Sequence, residues 1–254
     1  MTRPAVLVTG AAKRIGAAIA GRFGEAGWHV IVHYHRSKAE ADKLAASLPS
    51  AEALQCDLVD LAQVEAMAID LADRLTDWRC LINCAAIFPR DEVTALDTEA
   101  NRKAMLVNAT SPLRLAQAFF AQARSENGRR MIQITDQKLA NMNPDFTSYT
   151  MSKAAADAAA QMLAMSVDGD DRVYRLAPGA ILPSHDQSHD EAERSHRMNL
   201  LERRTEADEV ADAALFLATG PLVTGQELYV DSGQHLLHQD RDVIFLDRQG
   251  AQRR

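Results

Sequence analysis

Short apolar runs separated by helix-patterned stretches recur along the whole chain, and this alternation most limits how it can fold. Ala5-Val6-Leu7-Val8 is a continuous apolar run, as expected of a strand covered on both faces. Thr9-Gly10 breaks it, and Ile15, Ala18, Ile19 and Phe23 then recur at helical spacing until Gly27. Val30-Ile31-Val32 follows as a second buried strand, completing a unit that builds parallel sheets with right-handed crossovers. Further strands are expected at about 53–56, 80–82, 131–134, 173–176 and 227–230. Helices are expected over about 38–48, 61–75, 149–165 and 208–217, and a long apolar stripe over 99–124 is interrupted only at Ser111-Pro112. Seven strand candidates alternating with helices, without a repeat or composition break, predict an α/β fold. We expect one doubly wound Rossmann-type domain over 1–254 with a seven-stranded, mostly parallel sheet. The stretch 183–197 is polar and irregular and reads as a mobile loop or lid; a polar tail is expected from about 236.

Composition removes several function classes. At 254 residues the chain can bury a large core without staples. No run approaches the roughly 18 apolar residues of a membrane span, and no cleavable signal is expected ahead of the first strand. Three cysteines, Cys56, Cys80 and Cys84, suit a reducing compartment, so a cytoplasmic protein is expected. A net charge of −7 disfavours nucleic acid and anionic membrane as partners, and 5% aromatics disfavours a stacking surface for single strands.

In such sheets the first strand–helix turn is the usual phosphate site. Here it reads Thr9-Gly10-Ala11-Ala12-Lys13-Arg14-Ile15-Gly16. Gly10 permits the tight turn, small neighbours let the backbone approach, and Gly16 allows close helix packing, so that the helix N-terminus can receive a pyrophosphate. A purely structural turn is the competing reading. NAD sites usually carry an acid about 20 residues beyond the glycines, but no Asp or Glu occurs between Ala26 and Ala39. His35, Arg36 and Ser37 end the second strand instead, with Lys13 and Arg14 across the turn, which predicts NADPH and a bound 2′-phosphate. Asp57 is expected to accept from the adenine amino group, or else to cap the following helix.

Tyr149 and Lys153 stand four apart on one helix face, and a nearby ammonium lowers a phenol toward the working range of a general acid. With TGAAKRIG at 9–16, Asn83-Cys84-Ala85-Ala86, Asn108, Pro178-Gly179 and Val230-Asp231-Ser232-Gly233, this pair resembles the short-chain dehydrogenase/reductase family over nearly the whole chain. The resemblance implies that Tyr149 and Lys153 are catalytic and that Lys153 also holds the nicotinamide ribose. It further implies that Asn108 positions a water relaying protons to Lys153, and that Asn83, Ala85, Pro178, Gly179 and Ile181 line the cofactor. It implies a homotetramer through the helices around Asn108 and Tyr149.

Two departures point to one branch. Arg14 replaces the usual glycine, and Asp136 stands thirteen residues before the tyrosine where most of the family has serine. With His33-Tyr34-His35-Arg36-Ser37 and Phe88, these resemble the pteridine reductases and dihydromonapterin reductases, in which such a phenylalanine stacks on the pterin. A carboxyl group can hold or relay a proton to a ring nitrogen, which suits reduction of a C=N bond. An ionised Asp136 would raise Tyr149 while Lys153 lowers it, so the three should titrate together. The expected function is NADPH-dependent reduction of a dihydropterin, with Phe88, Asp136 and Tyr149 contacting the substrate. A ketone/alcohol oxidoreductase and a non-catalytic NADP-binding sensor remain as alternatives. His185 and His189 have a zinc-compatible spacing, yet no third ligand is evident, and no metal is expected.

Overall fold

The computed structural model describes residues 3–183 and 187–252, with side chains described as far as Arg248. The strands are β1 (Ala5–Val8), β2 (His29–Tyr34), β3 (Ala51–Gln55), β4 (Trp78–Asn83), β5 (Arg130–Ile134), β6 (Arg172–Pro178) and β7 (Glu227–Val230). They form one sheet in the order β3-β2-β1-β4-β5-β6-β7. Every pairing is parallel, so the expected sheet is present and is wholly parallel. The order reverses between β1 and β4, which opens a crevice at their carboxyl ends.

Side-chain alternation along the strands divides the core in two. Val6 and Val8 of β1 face helices α1 (Arg14–Glu25) and α8 (Ala207–Thr219), where Ile19, Phe23, Val210 and Leu217 are buried. Ala5 and Leu7 face α3 (Leu61–Arg74), α5 (Ser111–Gln122) and α6 (Thr147–Ser166), which supply Leu71, Phe119 and Ala160. Because both faces are covered, the central strands consist of continuous apolar residues, which is why the sequence pattern exposes them. The crossover after β2 is α2 (Lys38–Ser47).

Three segments differ from the sequence reading. The long stripe is not one helix: α4 (Thr98–Met105) and α5 are joined by a π-helical turn, Leu106–Thr110, that contains Asn108. The stretch 183–197 is not loop throughout: it contains α7 (His189–Ser195), started by a capping box between Ser188 and Glu191. The tail beyond 236 is not uniformly polar, because it contains α9 (Val243–Gln252), where Val243 and Ile244 are buried. His185 and Arg253-Arg254 lie outside the described residues. Among the described residues no helix is long and apolar enough to cross a membrane, and no three His, Cys, Asp or Glu side chains form a metal-binding group.

Candidate active site

The glycine turn between β1 and α1 is held from below. Gly10 has φ +67°, a conformation that favours glycine, and a Cβ there would lie 2.9 Å from Ala85 Cα. At Gly16 a Cβ would come within 2.4 Å of the Gly10 carbonyl oxygen, so the helix can start this close to the turn only without a side chain. Buried His33 on β2 accepts from the Gly10 N–H at Nδ1 (3.0 Å), and its Nε2 bonds the Cys56 carbonyl (3.1 Å). Burial depresses this imidazole to about 4, so it is neutral and can accept the glycine N–H. Thr9 Oγ1 accepts from the Cys84 and Ala85 N–H groups, tying β1 to the end of β4.

The residues present fit an NADP pyrophosphate and 2′-phosphate. Helix α1 has no acid in its first turn and no side-chain cap on its N-terminus, so its leading N–H groups at Ile15 and Gly16 face the cleft unopposed. At the end of β2, Arg36 is exposed and its guanidinium has no partner among the described residues. Ser37, at the start of α2, makes no capping bond with its hydroxyl. The other bases expected there are engaged: Lys13 pairs with Glu40 at 2.7 Å and His35 with Asp57 at 3.4 Å. Arg14 does not join Arg36. In a left-handed conformation (φ 57°), it donates to the carbonyls of Pro183 (3.0 Å) and Leu182 (3.3 Å) across the cleft. Asp57 does not cap α3; it accepts from the Val59 N–H, and Asp60 takes the cap.

Asp136, Tyr149 and Lys153 converge at the carboxyl end of β5. The Tyr149 hydroxyl donates to Asp136 Oδ2 at 2.6 Å, while Asp136 Oδ1 accepts from the Lys138 N–H at 2.8 Å. Asp136 therefore both caps the short 3-10 turn Gln137–Leu139 after β5 and contacts the phenol. Lys153 Nζ donates to the Ile134 carbonyl at 2.8 Å. Desolvation raises Asp136 above the usual carboxylate range and lowers Lys153. Burial, with Asp136 adding to it, pushes Tyr149 well above the ordinary phenol value. The lowering of Tyr149 expected from Lys153 does not prevail, because burial and then the touching Asp136 both raise the phenol while the ammonium is directed at a backbone carbonyl. A phenol held this firmly protonated is suited to giving up a proton only as charge develops on a substrate.

Asn108 is not bonded to Lys153. Its Oδ1 accepts from the Ile87 N–H, and its Nδ2 donates to the Ile87 carbonyl and Ser152 Oγ. The amide is thereby committed to fixing Ile87, the neighbour of Phe88. The Phe88 ring, 46% exposed, meets Tyr149 edge-on with centroids 4.5 Å apart and Phe146 at 4.3 Å. Asn83 donates to the Pro112 carbonyl, and its buried Oδ1 is unpartnered, as is Thr135 Oγ1. Gly179 is required where β6 ends, since a Cβ would lie 2.8 Å from that of Asp231, and buried Ile181 follows in the wall.

Gly10, Arg14, Phe88, Asp136, Tyr149 and Lys153 line one cleft of about 660 Å³, whereas Asn83, Asn108 and Arg36 lie outside its lining. Sequence reasoning missed its far wall: buried Lys138, and Asp242, Val243 and Ile244 at the start of α9. The apolar run Val243-Ile244-Phe245-Leu246 was the available signal for α9. His33 was read only as part of a motif, because its role depends on a contact across the sheet.

A family model described as enoyl-(acyl carrier protein) reductase matches residues 10–235. A dihydromonapterin reductase of Escherichia coli is 28% identical, the match covering 91% of this chain and 96% of that protein. The crystal structure of FolM alternative dihydrofolate reductase 1 from Brucella canis, complexed with NADP, is 32% identical. It superposes with a TM-score of 0.87 over 94% of this chain and 96% of the other. The angucycline C-6 ketoreductase LanV with bound NADP is 25% identical, with a TM-score of 0.83 over 93% and 97% of the two chains.

Proposed function

This chain belongs to the short-chain dehydrogenase/reductase family and is an NADPH-dependent oxidoreductase; we propose that its substrate is a dihydropterin, reduced to the tetrahydro form at a C=N bond. The observation that carries this reading is the Tyr149–Asp136 hydrogen bond of 2.6 Å beside the half-exposed Phe88 ring. A dihydropterin offers a flat ring for Phe88 to cover and a nitrogen that must gain a proton. The dihydromonapterin reductase and FolM relatives support the same substrate class.

NADPH, when bound, supplies the hydride. Arg36, Ser37, the α1 N-terminus and the Gly10 turn would hold its phosphates, and Lys153, Asn83 and Ile181 its nicotinamide half. The Tyr149 hydroxyl gives its proton to the ring nitrogen as the neighbouring carbon is reduced. Desolvation favours a protonated Asp136; when Oδ2 carries that proton the contact with Tyr149 reverses, Asp136 donating to the phenol oxygen, so the proton given to the ring nitrogen is replaced and no phenolate persists. Lys153 keeps a positive charge near the developing anion, and Asn108 keeps Phe88 in register through Ile87. Such a positioned acid contributes on the order of 10² to 10⁴ in rate.

The same reading carries a cytoplasmic location and a homotetramer; exposed Met151, Met162 and Met165 along α6 offer an apolar face for such self-association. A ketoreductase is the second reading, favoured by the likeness to LanV. NADPH oxidation followed with dihydromonapterin, dihydrobiopterin, dihydrofolate and a ketone panel separates the two. Turnover of ketones without any pterin would overturn the pterin assignment, and tight NADPH binding without turnover would reduce the protein to a sensor.

A further inference from the structure

The far end of the cleft holds an ion pair that the reduction step does not use. Lys138 is 4% exposed, and its ammonium donates to the Asp145 carbonyl at 2.7 Å and to Asp242 Oδ2 at 3.4 Å. Asp242 is held in place by its neighbours: its N–H donates to Asp145 Oδ2 at 2.8 Å, and Arg241 holds the same buried Asp145 carboxylate. The Asp242 Oδ1 accepts from the Ile244 N–H at 3.2 Å. After these bonds the ammonium keeps one proton outside any hydrogen bond, with the Phe146 ring centroid 5.2 Å away, and both carboxylate oxygens keep an acceptor site. Both side chains line the same cleft as Asp136, Tyr149 and Phe88. Removing an ion pair from water is costly, and apolar residues would close this wall at least as stably. A charged donor beside a charged acceptor in such a wall is therefore matched to a ligand that offers both functions at once.

From this arrangement, and resting on the pterin reading above, we propose that Lys138 and Asp242 form a subsite for the hydroxylated side chain of the dihydropterin. Asp242 then sets which dihydropterins are preferred. Each hydroxyl can accept from the Lys138 ammonium and donate to the Asp242 carboxylate. A neutral polyol satisfies the pair, whereas an anionic glutamyl tail such as that of dihydrofolate meets the Asp242 charge and a methyl group meets neither partner. Asp242 contacts no reacting atom, so it is a specificity residue.

The test compares kcat/KM for dihydromonapterin with that for a dihydropterin bearing methyl in place of the polyol, in wild type, Asp242→Ala and Asp242→Asn. One lost hydrogen bond to a charged group predicts that the polyol-to-methyl ratio falls roughly ten- to hundredfold in Asp242→Ala. Asp242→Asn, which keeps an acceptor, should retain part of the preference, and the dihydrofolate-to-dihydromonapterin ratio should rise in both variants. An unchanged ratio, or equal losses on both pterins, would overturn the subsite while leaving the pterin assignment standing. A wild-type enzyme that reduces no dihydropterin would overturn both.

Discussion

Replacing Arg36 with alanine is expected to separate the two nicotinamide dinucleotides. The guanidinium is exposed at the end of β2 and has no partner among the described residues, so its removal strands no other charge. Two unit charges about 4 Å apart attract by about 1 kcal/mol in water and about 4 kcal/mol near a protein surface. An exposed arginine lies toward the lower figure, but a 2′-phosphate carries more than one negative charge and accepts two parallel N–H bonds. About 2 kcal/mol follows, which weakens NADPH roughly 30-fold. NADH lacks that phosphate, and its affinity should change less than about twofold. Arg36→Asp adds repulsion and should cost about 3–4 kcal/mol with NADPH, a loss of several hundredfold. Titrating nicotinamide fluorescence for both cofactors measures this directly. Raising salt toward about 0.5 M should shrink the wild-type preference, since exposed charges are screened. Equal weakening of NADPH and NADH by Arg36→Asp would show that the 2′-phosphate does not lie at the end of β2.

Glu40→Gln should release Lys13 from its 2.7 Å ion pair and tighten NADPH by about two- to fivefold, measured in the same titration; weaker binding would count against a phosphate near Lys13. His33 is held neutral with its value depressed from 6.5 to about 4, so its stabilisation of roughly 3 kcal/mol is complete above pH 6.5. That contribution is lost as pH falls toward about 4, so His33→Gln should flatten the decline of the urea midpoint over this range, and an identical decline in both proteins would sink the assignment. Because Asp136 is raised above the usual carboxylate range, reduction should slow as rising pH removes its proton. Asp136→Asn should lose that limb of the kcat/KM profile while NADPH still binds; an unaltered profile would exclude Asp136 from the proton path.

What the sequence revealed and what it hid follow from the range of the interactions involved. Buried strands betray themselves through runs such as Val30-Ile31-Val32, and the glycine turn through Gly10 and Gly16, because burial and backbone conformation are local demands. Tyr149 and Lys153 were legible for the same reason, being one helical turn apart. The direction in which each charge is spent was not legible. Lys13, Arg14 and Arg36 are expected around one turn, yet Lys13 turns to Glu40 and Arg14 to the carbonyls after β6, leaving Arg36 without a partner among the described residues. Asn108 reads as a helix residue, but a π-helical turn re-aims it at Ile87. Lys138 and Asp242 lie far apart in sequence and meet only once β5 and α9 are in place.

The position of α9 also bears on the order in which the site comes into being during synthesis. The phosphate turn belongs to the first strand–helix pair, whereas Asp242 and Ile244 follow the last strand. A nascent chain can therefore shape its nucleotide turn early but has no complete substrate wall until residues beyond Ile244 have emerged from the ribosome. Newly made protein would gain its nucleotide turn before its substrate wall is closed, and a lesion confined to the last helix should disturb substrate binding more than NADPH binding.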